Sequence, residues 1–75
     1  MDIRRIKDKL VIEQDEAITV LPFSSIRNIH MYKVYGEYIV IEDYSNISRN
    51  TMIEGNKDDF ERMKSLLYDY LRYGE

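Results

Sequence analysis

His30 is the one histidine of the chain, and proton-transfer chemistry would start there. Ser24 and Ser25 lie a few residues upstream, and a hairpin expected between residues 29 and 44 brings Asp43 close. Serine, histidine and aspartate in contact make a nucleophile, a base and an orienting acid. Neither serine sits in the sharp G-x-S-x-G elbow that presents such a nucleophile. The expected role of His30 is therefore that of a strand residue with a nearby hydrogen-bond partner. Metal chemistry fares no better. One histidine with Glu42 and Asp43 supplies too few ligands, and neighbours on a strand point to opposite faces. The chain has no cysteine, which excludes a disulfide scaffold, a thiolate zinc site and a thiol nucleophile. Asp58, Asp59 and Glu61 fall within one helical turn, where helix capping accounts for them. No phosphate-binding loop, dinucleotide fingerprint or EF-hand loop is present. Paired carboxylates for glycoside chemistry need a cleft, and 75 residues leave little concave volume. The expectation is a protein that is not an enzyme and uses no metal or cofactor.

The residue type with most to offer is tyrosine, present seven times at positions 32, 35, 38, 44, 68, 70 and 73. Its apolar ring and polar tip suit half-exposed recognition surfaces. It is also a good strand former, so its presence on strands is partly structural.

The elements that position these residues follow from periodicity. Leu10 to Gln14 and Ala17 to Leu21 are β-rich runs around a polar Asp15-Glu16 turn, and they should form a hairpin ended by Pro22. Asp15-Glu16 is not a preferred two-residue pair, which leaves a longer loop open. Phe23 to Asn28 reads as one helical turn or a wide bend, with Phe23 and Ile26 plugging the edge of the core. Ile29 to Tyr35 and Tyr38 to Tyr44 are two more strands, joined at Gly36-Glu37. Thr51 to Glu54 is a short edge strand. The helix is expected over about 57–73. Asn56 or Asp58 caps it, Asp58 and Glu61 offer a capping box, and Gly74 ends it. Phe60, Met63, Leu67, Tyr70 and Leu71 form its apolar stripe, with Leu66 on the flank. The fold class is α+β: one domain over 1–75, with an antiparallel β-meander of four to five strands within 10–54 and one C-terminal amphipathic helix packed on one face.

A two-residue turn at Gly36-Glu37 sets Tyr35 opposite Tyr38 and Met31 opposite Glu42. Tyr32, Val34, Ile39 and Ile41 then share the face that receives the helix. The opposite face carries Met31, Lys33, Tyr35, Tyr38, Val40, Glu42 and Tyr44. In the first hairpin Val11, Ile18 and Val20 share one face, and Leu10, Ile12 and Leu21 the other. One helix covers one face, and too many apolar side chains are left for the second. Either the strands curl into a partial barrel, or that second face meets another protein, including a second copy of this one. The second arrangement is the expectation. It gives Met31, Lys33, Tyr35, Tyr38, Val40 and Tyr44 as the candidate partner-binding residues.

The charge balance shapes the choice of partner. The net charge is −3, which disfavours broad binding to phosphate backbones. Arg4, Arg5, Lys7 and Lys9 outnumber Asp2 and Asp8 in the first nine residues. That basic end reads as a solvated segment. The N-terminus lacks the apolar run of a secretory signal, and no stretch approaches a membrane span, so a soluble cytoplasmic protein is expected.

The stretch from Tyr38 to Leu67, a strand ending in an aromatic, a polar loop, a short strand and a capped helix, resembles the layout of the transcriptional-coactivator-like single-stranded DNA binders. Those are dimers of a ββββα unit that bind the strand through basic and aromatic side chains on the sheet. The resemblance implies a surface of Lys33, Arg49, Tyr35, Tyr38 and Tyr44. Glu42 and Asp43 interrupt it. A nucleic-acid reading would set Arg4, Arg5, Lys33 and Arg49 near the backbone of the bound strand. The layout is also similar to small bacterial and phage accessory proteins of β-meander-plus-helix form, which bind and modulate a larger protein. Two functions follow as expectations: a non-enzymatic protein-interaction module that acts as a regulator, inhibitor or accessory subunit and self-associates, or, as the alternative, a single-stranded nucleic-acid binder.

Overall fold

Alternation of apolar and polar residues builds the strands, and helical spacing builds the single helix at the C-terminal end. A computed structural model describes residues 1–44 and 50–74. Its elements are β1 (Asp2–Ile6), β2 (Lys9–Gln14), β3 (Ala17–Pro22), a 3-10 turn (Phe23–Ser25), β4 (Ile26–Tyr32), β5 (Tyr38–Asp43), β6 (Thr51–Glu54) and α1 (Lys57–Tyr73). The fold is α+β, antiparallel throughout, with the helix packed on strands β1 and β4. Among the described residues the strands form two three-stranded sheets, ordered β1-β2-β3 and β4-β5-β6, rather than one. No helix among them is long and apolar enough to cross a membrane.

The basic N-terminal segment is not solvated chain but a strand, and this corrects the reading from charge. β1 pairs with β2, Ile3 opposite Ile12 and Arg4 opposite Val11. Ile3 is buried in the core, while Asp2 and Arg4 alternate outward, where Arg4 meets Asp2 and Glu13. Two-residue turns join β1 to β2 and β2 to β3. Their first residues, Lys7 at φ 55° and Asp15 at φ 54°, take the left-handed conformation. The Asp15-Glu16 turn is therefore tight, not lengthened.

Pro22 ends the second ladder, and the chain turns the corner into the second sheet. Ser25 Oγ donates to the Pro22 carbonyl at 2.9 Å, and the Phe23 N–H donates to the Asp8 carbonyl at 2.9 Å. Phe23 plugs the core edge as expected, its ring stacked 5.1 Å from that of Tyr70 on the helix.

The second sheet departs from the expected register. Tyr32 pairs with Tyr38, Met31 with Ile39 and His30 with Val40, so a five-residue loop at 33–37 replaces the two-residue turn. Each of these pairs lies three residues from the expected one. Three is odd, so β4 turns over relative to β5. Ile39 and Ile41 face the helix as expected, but their partners there are Met31 and Ile29, and Tyr32 goes to the other face. The reason is burial: this register gives the core two apolar chains instead of a tyrosine and a valine. A bulge at Arg27 lets Ile26 and Ile29, three apart, both turn inward.

Ile3, Leu10 and Ile12 from the first sheet meet Ile39, Ile41 and Ile53 from the second, with Met63 and Leu66 from the helix closing the core. The helix fills the opening between the sheets. Its cap is Asn56, and the capping box is Asn56 with Asp59, not Asp58 with Glu61. The Asp59 N–H donates to Asn56 Oδ1 at 3.0 Å and the Asn56 N–H donates to Asp59 Oδ2 at 3.1 Å. Gly74 ends it at φ 68°, its N–H on the Tyr70 carbonyl. The stripe is centred on Met63 and Leu66, and Leu71 lies 65% exposed.

Candidate functional site

The six candidate residues divide among four places. Tyr38 and Val40 lie on the outer face of the second sheet, opposite the helix, as expected. Val40 is only 4% exposed because it sits on the central strand, paired with His30 on one side and Met52 on the other. Met31 lies on the inner face, packed against the core, and the odd register shift is the cause. Lys33 and Tyr35 belong to the 33–37 loop. Tyr44 follows β5 at its other end, about 20 Å from Tyr38 along an extended strand. The Tyr44 N–H bonds the Ser25 carbonyl, and the Arg27 guanidinium lies 5.9 Å from its ring centre.

The loop is the most exposed aromatic feature of the chain. Tyr35 is 96% exposed and sits at φ 60°, a left-handed backbone that a bulky residue adopts only under local constraint. Gly36 follows at φ 127°, a conformation for which glycine is needed. A Cβ at position 36 would stand 3.3 Å from Tyr38 Cε2, so the Tyr38 ring lies beside the loop backbone at Gly36. Tyr32, Val34 and Met52 are also exposed, and register places Tyr32 and Met52 on the face of Tyr38 and Val40. Tyr32, Val34 and Met52 are the surface residues that reading from sequence missed. The period-two alternation of Thr51 to Glu54 carried the signal for Met52; the loop length hid Tyr32.

The polar edge of the same face is organised around Glu42. Asn28 Nδ2 donates to it at 2.8 Å, Arg27 at 3.3 Å, and His30 Nδ1 lies 3.8 Å away. His30 thus faces Glu42. Asp43 turns to the inner side, where it is buried, and Ser25 is bonded to Pro22, so the serine, histidine and aspartate do not converge. Among the described residues no cluster of three or more histidine or carboxylate side chains could hold a metal.

Two of the cations that a nucleic-acid surface would use, Arg4 and Arg5, have other partners. Arg4 is held by Asp2 and Glu13. Arg5 donates to the carbonyls of Lys7 and Gly74 and lies over the rings of Phe23 and Tyr70. Arg49 lies outside the described residues. Hollows also lie on the surface of the described residues. One of about 390 Å³ at the helix N-terminus is lined by acidic side chains including Asp15, Glu37 and Glu54; one of about 250 Å³ runs between β4 and the helix past Ile29, Phe60 and Leu67. No protein family, curated protein or solved structure matches the chain.

Proposed function

We propose that the chain is a non-enzymatic protein-interaction module, a regulator, inhibitor or accessory subunit that binds a larger protein and also self-associates. The observation that carries this reading is the exposed group of Tyr32, Val34, Tyr35 and Met52 beside Tyr38, with Tyr35 held outward on a left-handed backbone. Aromatic residues and methionine are enriched where proteins meet, and fixing the loop in advance lowers the ordering cost of binding. Lys33 belongs to the same loop, Val40 supports the surface from the central strand, and Tyr44 stands apart at the far end of β5. Met31 acts through the core, by fixing the strand that carries Tyr32.

Stacking of bases on the same tyrosines is the alternative reading. It is the weaker one, because Arg4 and Arg5 are already engaged and the net charge is negative. The test compares immobilised wild-type chain with the Tyr32→Ala, Tyr35→Ala double variant as bait for host extract. A protein retained by the wild type, reduced at least about tenfold on the double variant and unaffected by Tyr68→Ala, is the expected result. Equal retention by both baits overturns the assignment of the surface. Saturable, salt-sensitive binding of oligothymidine by the wild type would favour the alternative.

A further inference from the structure

The outer edge of the first sheet presents a surface of a different kind. Among the described residues β3 is the last strand of its sheet, and one row of its backbone N–H and C=O groups has no strand beside it. Which groups these are follows from the tight turn. Gln14 pairs with Ala17 across a two-residue loop, and such a loop is closed by a pair that exchanges both hydrogen bonds. Alternation makes Ile12–Thr19 and Leu10–Leu21 the next bonded pairs. The backbone groups of Thr19 thus point to β2, and those of Ile18 and Val20 point to the open side. Pro22, which has no N–H to offer, falls on the open-side parity, where an edge strand tolerates it.

The other three edges carry features that discourage pairing. β1 contains Asp2, Arg4 and Arg5; β4 has the Arg27 bulge and His30; β6 is four residues long and ends in Glu54. From Ala17 to Leu21, β3 has no charged residue and no bulge, and Ile18 and Val20 are 62% and 51% exposed.

We propose that β3 pairs with β3 of a second copy, antiparallel, about a two-fold axis at Thr19. The strand is self-complementary in that register. Thr19 faces its own counterpart as a non-bonded pair. Ile18 faces Val20 of the second copy and exchanges both hydrogen bonds with it, and the reciprocal pair does the same. Both are pairs of β-branched side chains on the outer face, which pack well across strands. Ala17 faces Leu21 on the inner side. Glu16 falls opposite Pro22 of the second copy, one strand away from its Lys9, so the charges at the two ends are complementary. The two first sheets become one sheet of six strands.

This pairing rests on the self-association half of the proposed function. Its test uses the absence of cysteine in the chain. Across the axis the Thr19 Cα atoms would lie about 4.5 Å apart, within disulfide range, whereas Ile18 and its own counterpart would lie about 8 Å apart, beyond it. Thr19→Cys is therefore expected to yield a covalent dimer under mild oxidation, and Ile18→Cys at least about tenfold less. Sedimentation of the wild type is expected to show dimer growing with concentration up to about 1 mM, and Val20→Lys, on an exposed position, to remain monomeric with an unchanged circular-dichroism spectrum. A dimer in which Thr19→Cys links no better than Ile18→Cys refutes the β3 register and leaves self-association standing. A strict monomer throughout that range refutes both, and leaves binding of a larger partner to its own experiment.

Discussion

Arg5 ties the first strand to the end of the helix, and removing it gives the most informative stability measurement. Its guanidinium donates to the Gly74 carbonyl at the helix C-terminus, and Nε donates to the Lys7 carbonyl at 2.6 Å. It also lies 5.6 Å from the ring centre of Tyr70 and 5.9 Å from that of Phe23. A hydrogen bond from a charged donor contributes about 1.5–3 kcal/mol and a partly exposed cation over a ring about 0.5–1 kcal/mol. The site is only part-buried, so the lower ends apply and Arg5→Ala is expected to cost about 2 kcal/mol. For a domain of this size that lowers the melting temperature by about 8–16 °C. Arg5→Lys keeps a positive charge beside the helix C-terminus but loses the flat stack and the forked donors. It should recover about half the loss. Urea denaturation of the three proteins, with the slope checked for constancy, gives both numbers. A loss under about 0.5 kcal/mol for Arg5→Ala, or a lysine variant equal to wild type, refutes the reasoning. It would mean that the guanidinium stands in solvent and that β1 is held by its ladder alone.

Other expectations are narrower. Asn56→Ala and Asp59→Ala each cost about 1 kcal/mol in urea denaturation, and the double variant costs less than their sum, because the two side chains cap reciprocally. Gly36→Ala costs about 1–3 kcal/mol, since φ 127° is strained for alanine and the new Cβ meets the Tyr38 ring; a neutral result would show that the loop is not fixed by that ring. The hydrogen bond from Lys9 holds the Asp8 carboxyl below its ordinary value of 3.8. Because the folded value is the lower one, the stabilisation is complete above the unfolded value and is lost as pH falls through the folded value. An NMR titration of Asp8 should have its midpoint below 3.8, and Lys9→Met should raise it.

What could be read from the residues differs sharply along the chain. The helix was legible from end to end, because a cap, an apolar stripe and a terminal glycine all agree over residues 56–74. Even there, the choice between Asn56 and Asp58 as the cap needed geometry: both residue types cap well. β1 was not legible because charged residues fill three of its five positions, Asp2 and Arg4 outward and Arg5 on the inner parity at the edge of the core. Only Ile3 marks its inner face, and one buried residue in five is a faint signal. The two-sheet arrangement is a property of the corner at Phe23–Ser25, which periodicity cannot place. The faces of the first hairpin came out as expected because its loop is two residues long, whereas β4 was turned over by three extra loop residues. For the candidate surface the consequence is direct. Tyr35, Tyr38 and Val40 depend on β5 and its loop, and stay near the outer face. Met31 depends on β4, and moved to the core.

The core is completed by the two most distant parts of the chain: Ile3 in the first strand shares it with Met63 and Leu66 in the last helix. Synthesis runs from the first of these to the second. Hairpins close locally and fast, but until the segment around residue 66 has cleared the ribosome both sheets have their inner sides wet. The nascent chain therefore carries half-finished, greasy sheets through most of its translation, and commitment to the native state comes in a late step, when the final seventeen-residue element docks.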